Sequence, residues 1–576
     1  MRLPKPRFFG NHTPSMHRSV SSFIWLALVV VCGCGGTAPG TRAQPIPEPA
    51  FRWHFVGLPH LNASTNAAKL RQILALPATA KLQQEILTRS AGPLAELLML
   101  ETPSTPATTL AMQSLLPDLL QTESLIEVRV AGEMLKEWLV AVNLPDAAAA
   151  DWEAKFKQLL TAAGTDAPAK LVYQNSFIGW QAGRKDRSGL YTHMRVGSWS
   201  VFNFQRDGRP WLAVMAQLKA TGRPLPAARD YLLALDADLP TLKKWWPQVD
   251  YLDFPKIALT ITGQGDSLRT EARLRFPDAL TWQSQPWQIP TNSLQDPLVS
   301  FTAVQGIEPW LRRHPVIQQM EVPFPLRQFF VWAQNDIPFK SFLALPVPDA
   351  TNQFRQFAPR LQSVLNTNVT AKTAGHARTT TNGLETVWLG LPIFAPFLRP
   401  AIEPGGNFLL GGTMAGIIPS VPNTNPPPPE LLALVTSRTN LVYYDWEITE
   451  GRLAQWRQMD SLLAMLGPLT APPALPGGTN AASAWLDALT PLLGNTITEA
   501  TIAGPHELQL IRKSHVGFTG WELVQLARWF GNADFPSLGK SAAASAPVVP
   551  ALPGLPVKSR LPVAAPKAPA APLAPR

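Results

Sequence analysis

Residues 139 to 160 read LVAVNLPDAAAADWEAKFKQLL, and this stretch decides the fold class. Leu139 to Leu144 form an apolar strand. Pro145 and Asp146 then give a helix start, with proline's fixed φ and an acid at the amino end. Trp152, Phe156, Leu159 and Leu160 follow at i, i+4, i+7 and i+8, one face of a helix. A strand leading into a one-sided helix needs a sheet to cover the apolar stripe.

The same grammar recurs along the chain. LLALDADLPTLKKWWPQV starts at Leu232, with Leu242, Trp245, Trp246 and Val249 as its stripe. FLALPVPDATNQFRQFAPRLQSVL starts at Phe342, with Phe354, Phe357 and Leu361. LVYYDWEITEGRLAQWRQMDSLL starts at Leu441, with Leu453, Trp456 and Met459, and a looser copy starts at Phe51. The four full copies begin 93, 110 and 99 residues apart, which predicts an internal repeat of roughly one hundred residues. Hairpins are expected after the helices, at Asp207-Gly208, Gly263-Gln264-Gly265, Asn382-Gly383 and Gly504-Pro505. Strand-helix pairs occur in any α+β protein; here the helix start and the aromatic stripe recur together.

The expectation is therefore an α+β fold. Repeated strand-helix-strand-strand units form mostly antiparallel sheets covered by helices. They fall in two lobes, 51–285 and 297–535, after a short Pro-rich linker, 44–50. The second lobe carries an apolar Gly/Pro-rich insertion, 386–429. Residues 540–576 hold nine prolines, eleven alanines and no aromatic or acid, a composition expected to be a disordered tail.

Residues 1–43 have the order of an export signal. Arg2, Lys5, Arg7 and Arg18 precede the apolar run Phe23 to Val31, and Thr41-Arg42-Ala43 offers a cleavage site after Ala43. The run is short for a membrane span. Val31-Cys32-Gly33-Cys34 also resembles the lipobox of bacterial lipoproteins, a resemblance that implies acylation of Cys34 and a membrane-held body. Both cysteines lie in this segment, so the body has no disulfide. The formal charge of +10 is misleading about partners. Five bases lie in the signal and five in the tail, so residues 44–539 balance at 40 − 40 = 0. A nucleic-acid-binding body is not indicated.

Reactive motifs are sparse. Gly539-Lys540-Ser541 ends like a phosphate loop but lacks the earlier glycine. The seven histidines beyond residue 43 show no HxH or HExxH spacing, and there is no G-x-S-x-G elbow. Asp236 and Asp238 alternate at a strand end, as do Asp445 and Glu447, so each pair shares one face. Such a pair could hold a hard cation or act in acid-base chemistry, although acids before a helix more often cap its amides. No cofactor is indicated.

Tryptophan is abundant, with 18 beyond residue 43. Most fall at core positions, and Trp180, Trp199 and Trp211, near hairpins, are the better candidates for stacking on sugars. The insertion raises a second question. Trp388, Phe394, Phe397, Phe408, Leu409 and Ile417 must leave water, either against the body or against a protein partner or lipid surface. Pro392, Pro396, Pro400 and Pro404 are expected to forbid a long helix and to interrupt sheet pairing.

With its signal, repeated units and tail, the chain resembles large exported bacterial envelope proteins of the domain-of-unknown-function type. That resemblance implies no activity. The functional expectation is a non-enzymatic binding or scaffold role in the periplasm or cell envelope, toward an envelope protein or a glycan. The alternatives are a glycan-binding module using exposed tryptophans and a hydrolase with a dispersed site. Mass spectrometry of the mature amino terminus should find Gln44 or an acylated Cys34; intact Met1 would overturn both routes of export.

Overall fold

The structure, a computed structural model, describes residues 48–98, 104–131, 134–173, 177–185, 189–206, 211–225, 231–242, 253–280, 284–335, 340–368, 376–380, 383–389, 395–414, 426–465, 481–532 and 535–536. Cys34, Ala43, Trp245, Trp246, Val249, Phe394, Ile417 and the tail from Lys540 lie outside the described residues.

The first half holds β1 (Phe51–Phe55), β2 (Ser124–Ala131), β3 (Met134–Asn143), β4 (Ala169–Tyr173), β5 (Phe177–Gly183), β6 (Leu190–Val196), β7 (Trp199–Gln205), β8 (Leu233–Asp238), β9 (Lys256–Gln264) and β10 (Ser267–Arg275). The second holds β11 (Leu298–Gln305), β12 (Gln328–Gln334), β13 (Ser341–Pro346), β14 (His376–Thr379), β15 (Thr386–Leu389), β16 (Phe397–Glu403), β17 (Gly406–Gly412), β18 (Leu441–Ile448), β19 (Asn495–Gly504) and β20 (Glu507–Ser514). Helices α1 (Leu58–Ala63), α2 (Ala68–Leu74), α3 (Pro77–Leu98) and α4 (Pro106–Gln121) join β1 to β2, and α5 (Asp146–Ala162) follows β3. Helices α6 (Trp211–Thr221) and α7 (Leu239–Leu242) flank β8. Helices α8 (Glu308–Arg313) and α9 (Pro315–Met320) join β11 to β12, α10 (Ala350–Asn368) follows β13, and α11 (Pro429–Thr436) precedes β18. Helices α12 (Thr449–Met465) and α13 (Ala481–Leu489) join β18 to β19, and α14 (Gly520–Gly531) follows β20.

The 20 described strands belong to one sheet, and every pairing between them is antiparallel. The α+β class read from the sequence holds. The order is β4-β5-β6-β7-β3-β2-β1-β8-β9-β10-β20-β19-β18-β11-β12-β13-β17-β16-β15-β14. Counted outward from the β10–β20 seam, each strand on one side faces the strand ten numbers later on the other. The seam is a full ladder, from Leu268 opposite Ser514 to Arg275 opposite Glu507. The hairpin glycines Gly265 (φ 57°) and Gly383 (φ 67°) take the left-handed conformation that other residues avoid.

The two-residue period of the strands sorts side chains onto two faces. On one face Trp138, Val140 and Val142 of β3 pack with Trp152, Phe156, Leu159 and Leu160 of α5, all buried. This is the stripe read from the sequence. The face continues across the seam, where Ile73 and Leu82 of the first half meet Leu486, Leu523 and Phe530 of the second. Farther on, Phe354 and Phe357 of α10 pack on Leu409. The opposite face carries α6 in the first half, through Trp211, Val214, Met215 and Leu218 on Leu139 and Val201. In the second half it carries α11, through Leu431 and Val435 on Phe301, Trp332 and Tyr444.

Two expectations need correction. The segment after Asp207-Gly208 is not a second hairpin strand but helix α6. Trp211, Val214 or Met215, and Leu218 keep the helical period, which the high apolar content masks. Nor does Pro400 interrupt the sheet. It lies within β16 opposite Leu409, and β16 pairs with β15 only at Phe397 and Leu398, so Pro400 sits where the outer ladder has ended.

Trp138 is 1% exposed and packs against Phe156 and Tyr191. Its indole nitrogen has no hydrogen-bond partner among the described residues. Trp138→Ala should cost about 3–5 kcal/mol in chemical denaturation. Trp138→Phe should cost clearly less, because the lost N–H was already unsatisfied.

Candidate functional site

Three constellations compete. The first lies on the many-helix face at the seam. Asp445 and Glu447 of β18 both point into it and are buried beneath α12 and α14. The Thr302 hydroxyl donates to Asp445 Oδ1 at 2.6 Å, and the Gly520 amide donates to Glu447 Oε1 at 2.7 Å. Arg512 donates to both oxygens of Glu522, at 2.7 and 3.1 Å, and to Thr498 at 2.9 Å. Glu522 also closes the capping box of α14, accepting from the Thr519 amide at 2.8 Å. Burial pushes Asp445 up, against the Thr302 hydrogen bond and Arg512. Burial, then repulsion from Asp445, pushes Glu447 up to about 7. Burial lowers Arg452, the nearest cation on α12, against the pull of Glu447 and Asp445.

Each of these groups holds a backbone or side-chain partner, so the cluster fixes two helices to the sheet. Removing one member of such a buried pair costs about 3–5 kcal/mol, because a stranded charge remains.

The second constellation lies on the opposite face, beside α6. Arg52 donates to Glu127 at 2.8 Å, Arg129 donates to the same carboxylate at 2.6 Å, and Arg52 stands 3.6 Å from Asp236. At the strand ends His54 joins Tyr231 through Nδ1 at 2.6 Å and Glu123 through Nε2 at 3.0 Å. A carboxylate oxygen accepts, so Nε2 donates to Glu123, and in that tautomer Nδ1 accepts the hydrogen bond of the Tyr231 hydroxyl. That is the order of a base oriented by an acid and facing a hydroxyl. Burial, then Glu123, raises the Tyr231 pKa, so the phenol stays protonated and the arrangement is a hydrogen-bonded relay at rest. Burial also raises Asp236, with Arg52 opposing.

The third is a groove of about 610 Å³ at the matching place in the second half, beside α11. Tyr444, Trp446 and Ile497 line its floor, and Leu431 and Leu434 line one wall with Pro297 and Pro428. Asp296 and Glu430 are the charged residues of its lining. Burial, then Glu499, pushes the Tyr444 phenol up to about 12, so it too is uncharged.

The residues expected from sequence fall as follows. Asp238 accepts from the Thr241 amide at 3.1 Å and pairs with Lys256 at 2.9 Å, so it caps α7. Asp236 and Asp445, taken as related, face opposite sides of the sheet. Asp236 is level with Arg52 and Glu127 on the α6 face, whereas Asp445 is level with Thr302 and Thr498 on the face of α12. Trp180, Trp199 and Trp211 are 5%, 3% and 2% exposed, so these rings are core and offer no face for a sugar. In the insertion, Trp388, Phe397, Phe408 and Leu409 are buried. Strand β17 pairs with β13 and β16 pairs with β17, so the insertion extends the sheet and is covered with it. His193 is buried against Phe202 and Trp180, and burial lowers it to about 4, so its ring is neutral. The His54 relay was missed because its three members are far apart in sequence and show no spacing.

Among the described residues no group of three or more His, Cys, Asp or Glu lies where it would hold a metal ion. No described helix is long and apolar enough to cross a membrane. Comparison with protein-family models, curated proteins and solved structures finds no match.

The Glu447 shift gives a pH signature. Its folded pKa is raised, so its contribution to stability is complete below about pH 4.5 and lost as pH rises toward about 7. Glu447→Gln keeps an oxygen for the Gly520 amide and does not ionise. Its stability relative to the unmodified protein should therefore climb between pH 4.5 and 7.5 in parallel urea titrations; a flat difference would refute the buried ionisation.

Proposed function

We propose that the protein is an exported cell-envelope protein with a binding or scaffold role. The observation that supports binding is the open, largely apolar groove between the β11–β18–β19 floor and α11. It is concave, stands on a paired sheet and has few polar groups, the character of a binding site. Export rests on the order of charge and apolarity in residues 1–43, with Cys34 or Ala43 as the processing position. An acyl chain at Cys34 would hold the body near a membrane.

The matched strand orders on either side of the seam support a duplicated chain of two lobes, each built from strand-helix-strand-strand units. In this reading the α6 and α11 sites are copies of one ancestral surface. The first has become charged and the second apolar. A glycan-binding role would need rings other than Trp180, Trp199 and Trp211.

The hydrolase alternative has one specific support, the Glu123–His54–Tyr231 relay. Two measurements separate the readings. Fractionation should recover the protein with the envelope, and recovery with the cytosol would overturn the localisation. A screen against ester, phosphoester and glycoside substrates should give no turnover that Tyr231→Phe abolishes. A turnover lost in that variant would establish the hydrolase and displace the binding role.

A further inference from the structure

The carboxy-terminal tail contains two proline runs with a strict three-residue period. Pro547, Pro550, Pro553 and Pro556 form the first, and Pro566, Pro569, Pro572 and Pro575 the second. Polyproline II has three residues per turn, so each run places its prolines along one edge of such a helix. The period is a recognition pattern as well as a stiffening one, because aromatic-lined grooves take PxxP segments in this form. Lys558 and Arg560 follow the first run, and Lys567 and Arg576 lie within and after the second.

The groove beside α11 has the complementary character. Half-buried Trp446 supplies an aromatic floor, Pro297 and Pro428 supply rigid apolar walls, and Leu434 is 40% exposed at the rim. Its charged lining residues, Asp296 and Glu430, are both acids, against a tail of five bases and no acid. Glu430 is exposed, in the first turn of α11. The last described residue, Pro536, is followed by 40 more. At about 3.1 Å per residue they span roughly 120 Å as polyproline, more than the roughly 95 Å across twenty paired strands. The first run begins 11 residues beyond Pro536, roughly 34 Å of polyproline, and the second 30 residues beyond, roughly 93 Å, while the groove strands lie one to three strands, roughly 5–15 Å, from β20 on the other face.

We propose that the groove beside α11 binds the tail of this chain as a polyproline helix, prolines seated on Trp446 and Leu434 and a basic residue beside Glu430. The inference deepens the binding role proposed above by naming the ligand class, and its failure would leave export and envelope localisation standing.

The test uses the mature protein ending at Gly539, the full mature chain, and two labelled peptides, residues 545–560 and 564–576. Fluorescence anisotropy should show saturable binding of at least one peptide to the shortened protein. Binding to the full chain should be at least ten-fold weaker, since its own tail competes. Glu430→Lys, at an exposed position, should weaken binding several-fold, most at low salt. Trp446→Ala should weaken it ten-fold or more, with circular dichroism confirming the fold. A peptide of the same composition with its prolines off the three-residue period should bind at least ten-fold more weakly. A full chain that dimerises with concentration, where the shortened protein stays monomeric, would also support the contact, made between copies. Three results would overturn the proposal: no saturable binding to the shortened protein, equal binding of the shuffled peptide, or indifference to Glu430→Lys.

Discussion

The β10–β20 ladder is the constraint on which the rest depends. Each half of the chain ends in a long antiparallel hairpin, β9–β10 and β19–β20, whose last strand would otherwise expose a row of unpaired amides and carbonyls. Such an edge invites pairing with another chain. Joined to each other, β10 and β20 satisfy one another over eight residue pairs, from Leu268 with Ser514 to Arg275 with Glu507. The remaining edges are β4 and β14, of five and four residues, and short edges offer little template. The seam also places Arg512 opposite Thr270, beneath α14. Its bonds to Glu522, Thr498 and the Gly517 carbonyl tie the last helix to the joined sheet. Stability there comes from a buried ionic arrangement with its hydrogen bonds made, which is costly to break and specific in geometry.

Local structure was legible in the sequence wherever one period dominated. The Asp146 start of α5 and its four-residue stripe were readable because polar residues separate the apolar ones at helical spacing. The helix after Phe342 was readable for the same reason. Helix α6 was not, because Leu212, Val214, Met215 and Leu218 leave almost no polar face to mark the period. The β16–β17 hairpin was obscured by Pro400, since sequence alone cannot tell an inner ladder position from one beyond the end of a neighbouring strand. Strand order was beyond reach, because it depends on ladders between residues more than two hundred positions apart, such as β10 with β20.

The candidate site illustrates a sharper limit. Alternation told correctly that Asp445 and Glu447 share a face, and likewise Asp236 and Asp238. It could not tell which face of the sheet each pair takes. That choice is made by register: Thr302 against Asp445 in one half, Arg52 against Asp236 in the other. One acidic pair is consequently buried under two helices and raised in pKa. The other splits between an ion pair with Arg52 and a cap on α7.

The two faces of the sheet therefore have different freedom. On the many-helix face, helices of both halves share one core at the seam, so a change in one half is felt in the other. On the opposite face, α6 and α11 each serve their own half and belong to separate cores. A surface beside either helix can change composition without disturbing the other. The polar cluster at His54, Glu123 and Tyr231 lies on β1 and the approaches to β2 and β8, and the apolar floor at Tyr444, Trp446 and Ile497 lies on β18 and β19, both on the face of that looser constraint. Their different chemistry is compatible with the asymmetry of helix cover: the crowded face holds the halves together, and the sparse face leaves each surface to its own half.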